Sequence, residues 1–187
     1  MKVRTLILAV LAVLPLAAAG ATPSSDSVMA KARAEAKRSG KNVLVIFHAS
    51  WCGWCKKLDK MLESSDAGPA MSKAFVIVHL TVDESKDKKD LENPGAPEFR
   101  ASLGGADAGL PFFAVVSPKG KVLGNSIEPN KGNTGYPSAP HEIAYFMELM
   151  GKTTPKLKDG ERKKVEAYLR ANAAPAAPAP AIGGGGH

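Results

Sequence analysis

Trp51-Cys52-Gly53-Trp54-Cys55-Lys56 holds both cysteines of this 187-residue chain. Two thiols separated by two residues can do few things. A disulfide framework spreads several cysteines along a chain, and a zinc ribbon needs a second pair. The ring closed by a Cys52–Cys55 disulfide is too small to restrain an unfolded chain by much, so stapling explains the pair poorly. Reversible dithiol–disulfide exchange explains it better, and that chemistry requires a thiol whose pKa is lowered.

The elements around the pair must supply that lowering. Asn42–His48 is a near-continuous run of apolar, β-branched and aromatic residues, which predicts a strand covered on both faces of a sheet. The cysteines follow directly and open a helix predicted to reach Glu63. At such a junction, unpaired backbone N–H groups and the positive helix end are aimed at the Cys52 sulfur. The spacing puts Cys55 one helical turn on, where it can resolve a mixed disulfide. Gly53 permits close approach of a substrate backbone, and Lys56 and Lys57 add exposed charge of small weight.

The remaining segments predict a helix over residues 27–39, capped by Ser27 and stopped at Gly40, and a short helical turn from Gly68-Pro69. Residues 75–83 form a second central strand, and residues 97–102 a short helix. Phe112–Val116 and residues 121–123 flank a Ser117-Pro118-Lys119-Gly120 hairpin turn. Residues 138–150 carry Ile143, Phe146, Met147 and Met150 on one helical stripe, and Asp159–Ala171 is a last amphipathic helix. The order βα, βα, ββα gives an α/β sandwich with a mixed sheet.

The termini bound the compartment. Lys2 and Arg4, the apolar run from Leu6 to Leu14 and the small residues from Ala17 to Ala21 read as a secretory signal peptide, residues 1–21. The run is shorter than the ~20 residues that span a bilayer, and Pro15 interrupts it, so no stable membrane insertion is expected. A secreted or periplasmic location follows, where disulfides persist. Residues 22–172 are one domain's worth of chain. Residues 173–187, rich in Ala and Pro and closing on four glycines and His187, lack material for a core and predict a disordered tail. The hydrophobic fraction of 44% suffices for one core. The net charge of +7 comes from lysines interleaved with acids, as in Glu84-Ser85-Lys86-Asp87-Lys88-Lys89-Asp90. Solvated faces account for these charges more simply than a nucleic-acid partner does.

Several patterns add to the cysteine motif. Phe47-His48-Ala49-Ser50-Trp51 leads into Cys52-Gly53-Trp54-Cys55-Lys56-Lys57-Leu58, and Asp83 follows a buried strand. Asn93-Pro94-Gly95-Ala96-Pro97-Glu98-Phe99 comes next, then Gly109-Leu110-Pro111 before a strand and Pro118-Lys119-Gly120-Lys121 in a hairpin. In these segments the chain resembles the thioredoxin family over about residues 27–150, most of all exported members with Cys-Gly-Trp-Cys. The resemblance implies a thioredoxin fold, a three-layer α/β/α sandwich with a central mixed β-sheet. It implies Cys52 as attacking thiolate, Cys55 as buried resolving thiol and Trp51 as an apolar platform beside the sulfurs. Pro111 would be a cis-proline facing the pair, and the Leu110 backbone would pair with an extended substrate.

Two departures stand out. The family's buried Asp, six residues before the first cysteine, is here Ile46, and the Lys that faces it corresponds to His79. An imidazole at that position could take over proton transfer to and from Cys55, or could be a packed histidine satisfied by hydrogen bonds. Trp54 replaces the proline common between the cysteines; it either contacts apolar substrate surfaces or shields the site.

The activity expected is that of an exported thiol-disulfide oxidoreductase, a reductase or isomerase of protein disulfides. Its only redox group is the Cys52–Cys55 pair, with no separate cofactor or resident metal. Its partners would be proteins bearing disulfides or thiols and a redox partner such as a membrane thiol carrier. Copper or zinc binding is the main alternative, because His48 lies four residues before Cys52. A redox-inactive chaperone module is another, although intact cysteines argue against it. Lys56 directly after Cys55 excludes covalent haem attachment.

Overall fold

The computed structural model describes residues 21–174. The expected signal peptide, apart from Ala21, and the expected tail beyond Ala174 lie outside the described residues. Four strands form the main sheet in the order β2-β1-β3-β4. They are β1 (Asn42–His48), β2 (Phe75–Thr81), β3 (Phe112–Val116) and β4 (Val122–Asn125). β1 runs parallel to β2 and antiparallel to β3, and β3 runs antiparallel to β4, so the sheet is mixed as expected.

Strand alternation divides the apolar residues between two cores. Leu44, Ile46, Phe113 and Val115 face one, while Val43, Val45, Phe47, Phe112 and Ala114 face the other. α2 (Gly53–Glu63), α3 (Gly68–Ala74), α5 (Pro140–Thr153) and α6 (Asp159–Ala171) cover the first face. α1 (Ser25–Ser39) and α4 (Ala96–Ser102) cover the second. The result is the three-layer α/β/α sandwich of the thioredoxin fold. Central β1 is buried on both faces, which is why its sequence reads as an unbroken apolar run.

Local chemistry moves several boundaries. Ser24, not Ser27, caps α1: its Oγ accepts from the Ser27 N–H at 3.3 Å. The last β1–β2 ladder bond runs from the Val82 N–H to the His48 carbonyl, and pairing stops where Asp83 enters the left-handed region, at φ 54°. α5 starts at Pro140, with the Glu142 carboxylate accepting from the N–H groups of Ser138 and Ala139, 2.8 Å each. By its residues alone Gly132-Asn133-Thr134-Gly135-Tyr136-Pro137 reads as a turn-rich loop. Part of that segment instead forms a small antiparallel ladder, β5 (Ile127–Glu128) with β6 (Gly132–Asn133). Among the described residues, no helix is long and apolar enough to cross a membrane.

Candidate redox-active site

Cys52 and Cys55 are joined in a disulfide with their Cα atoms 5.3 Å apart. Cys52 is the N-cap of α2, extended at φ −74° and ψ 111°, and its sulfur accepts the Cys55 N–H at 3.1 Å. β1 delivers the chain to this point, and the Cys52 N–H closes the turn onto the Ala49 carbonyl at 3.1 Å. An N–H group and a helix N-terminus aimed at one sulfur favour its thiolate form. Both cysteines are buried, at 3% and 2% exposure. What faces solvent beside them is aromatic: Trp51 is 59% exposed and Trp54 45%.

Each indole is held. Trp51 Nε1 donates to the Asp83 carbonyl at 2.8 Å. Trp54 stacks on buried Tyr136, centroids 6.3 Å apart, and Lys57 Nζ lies 4.2 Å from the centre of its ring. Gly53 has no atom within 4 Å of where a Cβ would stand, so the approach to the helix start is open. Opposite, the Leu110–Pro111 peptide is cis, and Leu110 packs on the small cluster of Ala49, Cys52 and Cys55. The structure thus brings Trp51, Cys52, Gly53, Trp54, Cys55, Leu110 and Pro111 to one end of the sheet.

His79 lies opposite Ile46 in the β1–β2 register, the position expected for it. Its Nε2 is 3.0 Å from Asp59 Oδ1, one turn of α2 beyond Cys55, and its ring lies 5.0 Å from that of His48. His48 Nε2 in turn is 3.3 Å from Thr81 Oγ1. Burial pushes the His48 pKa down and the charge of His79 adds to that, outweighing the opposing pull of Asp59 and Glu84. Among the described residues, no group of three or more His, Cys, Asp or Glu side chains is arranged to hold a metal ion.

Glu84 differs from its sequence reading. It sits in a charged run that looks solvated, yet it is 4% exposed. Its carboxylate accepts from the Ser50 N–H at 2.6 Å and from Ser50 Oγ at 2.8 Å, which fixes the turn before Trp51. Burial pushes the Glu84 pKa up, but the Ser50 hydrogen bonds outweigh this and hold it below the usual value. Glu92 Oε1 accepts the Glu84 N–H at 2.7 Å, and Arg100 bonds Asp83. The whole 83–100 connection therefore braces the cysteine turn. Asp83 belonged to the sequence pattern; Glu84 and Asp59 did not. Spacing carries no signal for them, because each acts across the fold.

The model of a family described as thioredoxin-like matches residues 26–118. A protein disulfide-isomerase of Hordeum vulgare is 35% identical over 86 residues, 46% of this chain and 14% of that protein. One from Zea mays is 33% identical over 85 residues, with the same two shares. The chain thus spans 14% of the length of either relative. A disulphide isomerase structure from Xylella fastidiosa Temecula1 aligns at 21% identity and TM-score 0.48, covering 85% of this chain and 96% of that one. The family match takes in β1, both cysteines, β2 and the cis-proline, and residues 26–118 belong to the thioredoxin-like family.

Proposed function

We propose that the protein is an exported thiol-disulfide oxidoreductase that reduces or isomerises disulfides in other proteins. One observation carries this reading: a Cys52–Cys55 disulfide at the start of α2, its Cys52 sulfur accepting a backbone N–H, faced by Leu110 and a cis-proline. The likeness of the segment to plant protein disulfide-isomerases supports the same class of chemistry. Export rests on residues 1–21 of the sequence.

In the reducing direction the Cys52 thiolate attacks one sulfur of a substrate disulfide. The other substrate sulfur leaves as a thiolate and takes a proton. Deprotonated Cys55 then attacks the Cys52 sulfur, the second substrate sulfur departs, and the Cys52–Cys55 disulfide forms. Two electrons pass to the substrate; run backwards, the steps oxidise a dithiol. In isomerisation a second substrate thiol displaces Cys52 from the mixed disulfide, with no net electron transfer. Direction follows the reduction potential relative to the partner, and net reduction requires a dithiol donor in the compartment, such as a membrane thiol carrier. Trp51, Gly53 and Trp54 form one wall of the substrate site, and the Leu110 backbone beside Pro111 forms the other. His79, paired with Asp59, supplies and accepts the Cys55 proton through water.

Insulin-disulfide reduction tests this reading. The wild type should precipitate insulin chains in the presence of a dithiol donor. Cys52→Ser should reduce the rate to background, and Cys55→Ala should accumulate mixed disulfides visible on non-reducing gels. Turnover that survives Cys52→Ser would sink the assignment.

A further inference from the structure

The segment after β4 lies beyond the family match, yet it touches both walls of the site. Asn133, at the end of β6, donates its Nδ2 to the Gly109 carbonyl at 2.6 Å and to the Pro111 carbonyl at 3.1 Å. Its Oδ1 accepts from Ser126 Oγ at 2.6 Å and from the Gly135 N–H at 3.3 Å. Ser126 is fully buried, and its Oγ also accepts the Phe113 N–H at 3.1 Å. The amide is therefore oriented by partners on every side, and it holds the carbonyls on either side of Leu110. Leu110 itself has no backbone hydrogen bond among the described residues.

The same segment reaches the other wall. Gly135, at φ +54°, lies so close to Pro111 that a Cβ there would stand 3.4 Å from the Pro111 carbonyl oxygen. Tyr136 is the platform under Trp54. The β5–β6 ladder is tied in turn to α5, where Tyr145 Oη donates to the Ile127 carbonyl at 2.8 Å and His141 meets Glu128 at 2.6 Å. A rigid helix thus sets the place of the hairpin, and the hairpin sets the place of the cis-proline edge.

We propose that Asn133 is a positioning residue for substrate recognition. By occupying the Gly109 and Pro111 carbonyls it leaves the Leu110 N–H and C=O as the free pair on that edge and holds them at a fixed distance from Cys52. An extended protein substrate can then add its strand to Leu110 while its disulfide meets the sulfur. A small dithiol has no strand to add and does not need the edge. The inference rests on the oxidoreductase reading and deepens it: Asn133 separates protein substrates from small thiols.

The test compares wild type, Asn133→Ala and Asn133→Asp in two reactions: insulin reduction, and reduction of the enzyme's own disulfide by dithiothreitol. Asn133→Asp keeps the side-chain shape but replaces the shared donor with an acceptor facing two carbonyl oxygens. Both variants should raise KM for insulin about tenfold, the scale of one or two lost hydrogen bonds in the bound state. Their kcat, dithiothreitol rate and reduction potential should stay within about twofold of wild type, within ordinary surface-substitution effects. An unchanged insulin KM overturns the proposal. Equal losses in both reactions, or failure of both variants to fold, would make Asn133 a purely structural residue and overturn it too. A wild type inactive on insulin would instead overturn the oxidoreductase reading.

Discussion

At the scale of single residues, the arrangement separates holding the Cys52 thiolate from moving the Cys55 proton. Cys52 draws on the helix start, where the Cys55 N–H meets its sulfur. Six residues before Cys52, where the resemblance would put a buried acid, stands Ile46, an apolar side chain at 1% exposure. Asp59 lies one helical turn along α2 from Cys55 and is paired with His79. His79→Ala should therefore slow resolution of a trapped mixed disulfide several-fold, on the order of the smaller general-base effects. It should also flatten the pH profile of that step. Stopped-flow decay of a preformed mixed disulfide measures both, and an unchanged rate and profile would remove His79 from the mechanism. Its position opposite Ile46 was legible in the sequence because strand register preserves order. Its partner was not, since Asp59 reaches it from a different element.

At the scale of elements, the 83–100 connection behaves as a clamp on the turn between β1 and α2. Glu84 holds Ser50, Asp83 receives Trp51, and Arg100 holds Asp83 in place. The Glu84 pKa is depressed in the folded state, so the stability it contributes is present above the ordinary value of 4.5 and is lost as pH falls through the folded value. His48 is depressed too. Its contribution is complete above the ordinary value of 6.5 and declines as pH falls below it, when the unfolded chain takes up the proton first. Thermal melts from pH 7.5 downward should show an early loss from His48 and a later one from Glu84. Glu84→Gln should melt lower than wild type near pH 7; the gap should narrow as pH falls below 4.5 and close only below the lowered folded-state value, where the wild-type carboxyl is also neutral. A gap that stays constant across the range would show that the carboxylate's charge does not hold the turn.

At the scale of the whole molecule, the sheet and its helices follow from patterns that a sequence displays openly. β1 and β2 are apolar runs, α2 follows the cysteines at once, and α5 and α6 carry clear stripes. The less legible parts share one physical reason. β5 and β6 are two residues each, too short for any alternation to register, and they are held by side chains from α5 and by the Asn133 amide. Glu84 was hidden differently: in a run of alternating charges, nothing local distinguishes the one carboxylate folded inward. Cys52 and Cys55 were legible through their spacing and Pro111 through the family resemblance, whereas the Glu84 brace and the Asp59 partner of His79 had neither signal.

The two indoles beside the disulfide have an optical consequence. They are the only tryptophans in the chain, so its tryptophan emission originates entirely at the redox site. A disulfide is an efficient quencher of a nearby excited indole, and a dithiol is a weaker one. Reduction should therefore brighten the fluorescence, and Cys55→Ala, which cannot close the disulfide, should be bright without reductant. No change in emission on reduction would mean that neither indole senses the sulfurs. Titrated against a thiol redox buffer, the unlabelled protein would report its own reduction potential.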